Sequence, residues 1–99
     1  MADGPVYKPL GRQKISPDSS TAVGLSVPAG ACRCLIAVET QNVRVRDDGT
    51  DPTSSTGLII QKDSQPMPYE GDLSKIKFIA VASTAAVEIL YYGQSRLGQ

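Results

Sequence analysis

The sequence predicts an all-β fold: a small antiparallel β-sandwich, jelly-roll-like, with an extended N-terminal arm. Two observations lead to this prediction. From residue 21 onward, short apolar segments alternate with turn residues at a spacing of about ten residues, which is typical of sandwiches and barrels. No segment has the apolar periodicity of an amphipathic helix. A chain of 99 residues is long enough for one domain with one core.

Three parts are predicted along the chain: an arm over residues 1–20, a sandwich domain over residues 21–92 and a C-terminal tail over residues 93–99. The arm contains Pro5, Pro9 and Pro17. Each proline fixes its own φ and pushes the preceding residue toward extended conformations, so a continuous helix is excluded. We expect the arm to lie either against its own domain or against a neighbouring subunit.

The first half of the sandwich is predicted to contain three strands. The first, Thr21–Val27, ends at the turn Pro28-Ala29-Gly30. The second, Cys32–Glu39, is a near-continuous apolar run and indicates a central strand. The third, Val43–Arg46, alternates strictly, so its valines are expected to face inward and its arginines outward. A cluster of turn residues, Asp47–Pro52, ends this half.

The second half is predicted to contain one helical turn at most, at Leu73–Ile76, and four strands: Gly57–Gln61, Met67–Tyr69, Lys75–Val81 and Ala86–Tyr92. Met67–Tyr69 is expected at a sheet edge. In the last strand the alternation favours Tyr91 on the inner face and Tyr92 on the outer face, and a register slip of one residue would exchange the two. The core is expected to be aliphatic, because the chain has five aromatic residues in 99 and no Trp.

The charge balance argues against nucleic acid as a partner. Ten basic and ten acidic residues cancel, whereas a duplex-binding domain usually carries a basic excess. No apolar run reaches the ~20 residues of a membrane-spanning helix, and the N-terminus MADGPVYKPL lacks the apolar region of a secretory signal. A net charge near zero favours association, which suits a subunit of a homo-oligomer or larger assembly.

The sequence predicts no enzyme, cofactor or metal. It contains no His, so a Ser-His-Asp triad and a Cys-His pair are both impossible. Cys32 and Cys34 are interpreted as two half-buried small apolar residues, because a disulfide across one residue would bend the strand. Asp47, Asp48 and Asp51 are interpreted as a solvated turn, since they lack the spacing of an EF-hand loop.

Candidate partner-binding residues come from the arm, from one strand face and from the last strand. Two interpretations of the outward arginines stay open: charges that keep an exposed sheet from pairing edge to edge, or a docking face for an acidic partner. An outward Tyr is typical of interface hot spots. The candidates are Val6, Tyr7, Leu10, Arg44, Arg46 and Tyr92.

One long stretch resembles small structural proteins of tailed bacteriophages. It reads IAVETQNVRVRDDGTDPT over residues 36–53, and its most distinctive part is the turn from Arg46 to Thr50. The similarity continues through Tyr69–Ile79 and closes with a Tyr91-Tyr92 strand, so it covers about residues 20–92. The resemblance implies a minor structural component of the virion, made in the host bacterial cytoplasm, without settling which one; a decoration-like (cement-like) minor capsid protein is the kind we expect. It assigns no functional residues.

Three hypotheses of function follow. The first is a capsid decoration protein that binds the major capsid protein lattice or neighbouring virion subunits, where many weak contacts add up. The second is a head-to-tail adaptor or a tail or fibre-attachment component, which would be present in far fewer copies. The third, of another class, is a soluble ligand- or carbohydrate-binding sandwich, which would need clustered exposed aromatic side chains.

Overall fold

The computed structural model describes residues 6–95, which fold into eight strands and one 3₁₀ turn. The 3₁₀ turn is Leu73–Lys75. The strands are β1 (Val6–Ile15), β2 (Val23–Gly24), β3 (Ala31–Glu39), β4 (Val43–Arg46), β5 (Leu58–Ile60), β6 (Met67–Glu70), β7 (Lys77–Ala80) and β8 (Ala86–Ser95). All strand pairs among the described residues are antiparallel and lie in two sheets, so the all-β prediction is confirmed.

The strand order is nested. The first sheet has the order β1-β8-β3-β6, and the second sheet has the order β2-β7-β4-β5. The first strand pairs with the last, β2 with β7, β3 with β6, and β4 with β5. The chain is therefore arranged as one long hairpin with its tip at the β4–β5 connection. Along this hairpin, successive strand pairs belong alternately to the first and the second sheet.

The core lies between the sheets and is mainly aliphatic, as the composition predicts. Phe78 and Tyr91 are the largest buried side chains. The alternation of β4 is as predicted, with Val43 and Val45 buried and the arginines half-buried. In β8, Val87, Ile89 and Tyr91 are buried in the same way, which leaves Tyr92 on the outer face.

The segment predicted as an arm is extended, but from Val6 onward it is a strand of the domain's own sheet. β1 pairs with β8 from Val6 opposite Ser95 to Ile15 opposite Val87. Pro9 is accommodated because β1 is an edge strand, where a missing N–H costs no ladder hydrogen bond. The register shifts between Pro9 and Gly11, and Gly11 has φ +144°, a conformation that favours glycine.

The predicted boundaries at residues 20 and 92 therefore move. Residues 6–15 belong to the sandwich, because they supply the edge of its first sheet. Part of the predicted tail also belongs to it, since β8 continues to Ser95. The remaining parts of the predicted arm and tail, residues 1–5 and 96–99, lie outside the described residues.

Two predicted strands begin two residues later than expected, because local side-chain hydrogen bonds turn the chain just before them. Asp18 Oδ1 accepts hydrogen bonds from the backbone N–H groups of Ser20 and Thr21, each at 2.9 Å. This turn delays the start of β2 to Val23, and β2 spans only Val23–Gly24. Likewise, Asp72 caps the 3₁₀ turn through the Ser74 N–H, and β7 begins only at Lys77.

Candidate functional site

The outer face of the first sheet carries a row of apolar and aromatic side chains. Strand register places Arg33 of β3 opposite Tyr92 of β8, and Leu35 opposite Leu90. Leu90 is 39% exposed although it is a large apolar residue. This face is therefore accessible and partly apolar, and charged side chains lie beside its apolar residues: Arg33, and Arg12 opposite Leu90 in an ion pair with Glu88.

A shallow groove of about 300 Å³ lies on this face, lined by Tyr7, Arg33, Leu35 and Tyr92. We call these four residues the tyrosine groove. The two tyrosines come from neighbouring strands, β1 and β8, and lie 85 positions apart in the sequence (92 − 7). The structure thus brings together two of the predicted partner-binding residues, Tyr7 and Tyr92.

Tyr7 is held in this groove by Glu70 from the other edge strand, β6, and by Arg33 from the inner strand β3. Its hydroxyl donates a hydrogen bond to Glu70 Oε2 on β6. The Arg33 guanidinium lies over the Tyr7 ring, 5.0 Å from the ring centroid, and its Nη1 is 3.7 Å from Glu70 Oε1. The hydrogen bond to Glu70 is also the main reason that the pKa of Tyr7 is raised. Sequence reasoning missed Arg33 and Glu70.

The predicted docking arginines lie elsewhere, on the second sheet, and their guanidinium groups have partners within the chain. Arg44 donates to the backbone carbonyls of Ser54, at 3.1 Å, and Gly57, at 2.8 Å. Arg46 donates to both carboxylate oxygens of Asp48, at 2.5 and 3.2 Å. Both arginines therefore organise the β4–β5 loop.

The other two predicted residues, Leu10 and Val6, also belong to β1. Leu10, at the register shift of β1, packs against the hydrophobic core. Its Cδ1 would lie 2.8 Å from a Cβ added at Gly93, so it is in close contact with β8. Val6 is the first described residue of β1 and pairs with Ser95.

A second exposed apolar feature lies on β5, the edge strand of the second sheet. Leu58 is 62% exposed and Ile59 42% exposed, and we call these two residues the β5 edge. Leu58 also lines a crevice of about 100 Å³ between the sheets, together with Val45, Met67, Tyr69 and Ile76. The run Leu58-Ile59-Ile60 could have indicated this feature, because a strand cannot place three successive apolar residues on one face.

The acidic loop residues each have a different partner. Asp47 accepts a hydrogen bond from Tyr69 Oη at 2.7 Å, which is the main cause that raises the pKa of Tyr69 to about 12. Asp51 accepts from Lys77 Nζ at 2.9 Å. Asp48 is engaged with Arg46 and with the Thr50 N–H. Within residues 6–95, no group of three His, Cys, Asp or Glu side chains is placed to hold a metal ion.

The two cysteines are free thiols of different exposure. Cys34 is fully buried in the core, and Cys32 is half-buried. Burial raises the pKa of the Cys34 thiol to about 11, so this sulfur stays protonated at neutral pH. A protonated thiol is a poor nucleophile and a poor metal ligand, so Cys34 acts as a small apolar core residue.

No protein-family model matches this chain, and no curated protein or solved structure matches it. In the part of the chain that the structure describes, no helix is long and apolar enough to cross a membrane. Inferences about function therefore depend on the sequence resemblance and on the two exposed surfaces, the tyrosine groove and the β5 edge.

Proposed function

We propose that this chain is a non-enzymatic structural protein of a bacteriophage particle, a decoration protein that binds the major capsid protein lattice through its β5 edge. The observation on which this proposal depends most is the exposure of Leu58 and Ile59 on an edge strand. The sequence resemblance to phage structural proteins supports the same class. Many copies bound to a repeating lattice would make a small contact sufficient.

The nested strand order supports a jelly-roll assignment for the sandwich. Rolling one long antiparallel hairpin produces the pairings of the first strand with the last, β2 with β7, β3 with β6 and β4 with β5. Eight-stranded jelly rolls of this kind are common in viral capsid domains and in lectins. A fold alone does not define a function, so the proposal depends on the exposed surface of β5.

The four sheet edges differ in how they are protected from pairing with other chains. β1 carries a proline and several charges, β6 carries Pro68 and Glu70, and β2 has only two residues. These are the devices that usually block edge-to-edge association. β5 is short as well, but residues 57–61 contain neither a charge nor a proline. An edge of this kind suits strand addition by a partner.

The proposal of a non-enzymatic role is supported by the state of the reactive groups. The whole chain contains no His, the common general base at neutral pH. The buried thiol of Cys34 is protonated, and the acidic loop carboxylates are each bound to a separate partner. Binding and assembly need none of these groups to react.

The copy number in the particle tests the proposal and separates it from the adaptor hypothesis. Particles of the phage that encodes this chain would be purified, and the ratio of this chain to the major capsid protein measured by quantitative gel densitometry. A decoration protein is expected in numbers comparable to the major capsid protein. A much smaller number would favour a head-to-tail adaptor or tail component, and absence from the particle would overturn the proposal.

A further inference from the structure

The tyrosine groove has no role in the proposed capsid contact. It lies on the outer face of the first sheet, whereas the β5 edge belongs to the second sheet. A decoration protein bound through β5 would therefore leave this face free. The groove also supplies the clustered aromatic side chains that a sugar-binding sandwich requires, because Tyr7 and Tyr92 meet there from distant parts of the sequence.

We infer that the tyrosine groove is a binding site for a neutral saccharide. A pyranose ring has an apolar face of C–H groups and a rim of hydroxyls. The ring of Tyr92 and the side chain of Leu35, which line the groove, offer an apolar surface to the C–H face. Arg33, which also lines the groove, and its partner Glu70, which lies beside it, offer polar groups to the hydroxyls. Most small-ligand sites combine an apolar lining with a few polar groups in this way.

The charges around the groove favour a neutral ligand. Arg33 and Glu70 form a balanced pair whose nearest atoms are 3.7 Å apart. An anionic ligand would meet the Glu70 carboxylate, and a cationic ligand would meet the Arg33 guanidinium. Sugar hydroxyls both donate and accept hydrogen bonds, so a neutral sugar can use the donors of Arg33 and the acceptors of Glu70 together.

The polar pair has hydrogen-bonding capacity left for such a ligand. A guanidinium has five N–H donors, more than Glu70 and Tyr7 can use. The Arg33 side chain is 34% exposed and that of Glu70 55% exposed. The Tyr7 hydroxyl donates a hydrogen bond to Glu70 Oε2, which holds the carboxylate in place. The other carboxylate oxygen, Oε1, faces the Arg33 guanidinium.

A sugar fits this face better than an extended peptide. β8 is paired on both sides, with β1 and β3, and β3 is paired with β8 and β6. The backbone N–H and C=O groups beneath the groove are therefore used in the sheet ladders. A peptide bound by strand addition would find no free backbone groups there, whereas a sugar needs only side chains.

Titration of the full chain with sugars, followed by NMR of backbone amides, tests this inference. The probes are methyl β-glucoside, methyl β-galactoside, methyl α-mannoside and chitotriose. At least one is expected to shift the amides around Tyr7, Arg33 and Tyr92. Tyr92→Ala should weaken that binding by about tenfold or more, since it removes the stacking surface. Tyr92→Phe should keep it within about threefold.

Leu90→Ala serves as the matched control, because Leu90 lies on the same strand and face without lining the groove. It should bind the sugar as the unchanged chain does. The inference is overturned if none of the four probes shifts the groove amides, or if Tyr92→Ala binds as tightly as the unchanged chain. Shifts of the same amides by a proline-rich peptide without any sugar response would also overturn it, in favour of a peptide site.

Discussion

Tyr7 and Glu70 lie on opposite edge strands of the first sheet, and the hydrogen bond from Tyr7 Oη to Glu70 Oε2 joins these two edges across its outer face. The Arg33 guanidinium lies between them, 5.0 Å from the Tyr7 ring centroid and paired with Glu70. This connection fixes the start of β1 and shapes one wall of the tyrosine groove. It also shows why the N-terminal segment belongs to the domain.

Tyr7→Phe should loosen the start of β1 without unfolding the domain. The change removes the hydrogen bond to Glu70 and keeps an aromatic ring near Arg33. Amide hydrogen exchange should become faster in the first residues of β1, while exchange near Ile15 stays slow, because Ile15 is buried in the core. Tyr92→Phe is the control and should leave β1 unchanged. Equal exchange in Tyr7→Phe and the unchanged chain would contradict the proposed anchoring.

Gly93→Ala should destabilise the domain where β1, β8 and the turn at Gly30 meet. A Cβ at residue 93 would lie 2.8 Å from Gly30 O and 2.8 Å from Leu10 Cδ1. Because Gly30 O is a backbone atom, the strand must shift, which should cost about 1–3 kcal/mol. Gly24→Ala is the control: its Cβ would be 3.9 Å from the nearest atom. Urea unfolding measures both, and equal losses would show that the close approach does not matter.

Arg44→Lys should destabilise the β4–β5 loop. Arg44 reaches two carbonyls, Ser54 O and Gly57 O, with one planar guanidinium. A lysine cannot hold both in the same geometry, so we expect a loss of about 1–2 kcal/mol in the free energy of unfolding. Arg46→Lys, which affects an exposed pair with Asp48, should cost less. If Arg44→Lys is as stable as the unchanged chain, the guanidinium does not hold the loop.

Stability should fall at alkaline pH through the tyrosines. The pKa values of Tyr69, which donates to Asp47, and Tyr91, which is buried, are raised from 10.0 to about 12. The folded state holds these protons more tightly than the unfolded state does. Their stabilisation is therefore full below the unfolded value of 10.0 and is lost as the pH rises through about 12.

Urea unfolding at several pH values between about 9 and 12 measures this loss. The double variant Tyr69→Phe/Tyr91→Phe should be less stable at pH 9 but should lose less stability toward pH 12, because it lacks the two shifted phenols. If its stability declines as steeply as that of the unchanged chain, other groups, such as lysines, cause the alkaline loss.

Local sequence patterns predicted the features that depend on neighbouring residues. Strict alternation gave the inward valines of β4, and the phase of β8 placed Tyr91 inside and Tyr92 outside. Turn residues gave the approximate ends of most strands. Composition misled at β1, because prolines and glycines that weaken an inner strand are tolerated on an edge strand that pairs with one neighbour.

The candidate site could not be predicted in full because it is made by contacts between distant residues. Tyr7 and Glu70 are 63 positions apart, and Arg33 meets Tyr92 only through the pairing of β3 with β8. No local pattern encodes these neighbours. Arg44 and Arg46 were correctly placed outside the core, but their hydrogen bonds to the β4–β5 loop depend on how that loop folds back.

The most direct test of the proposed capsid contact is the occupancy of purified particles by the double variant Leu58→Lys/Ile59→Lys. Both side chains are exposed, so the variant should fold, which its melting temperature would verify. Leu90→Lys, on the opposite sheet, is the control. We expect the double variant to be lost from particles by about tenfold or more and Leu90→Lys to bind normally. Full occupancy by a folded double variant would contradict docking through the β5 edge.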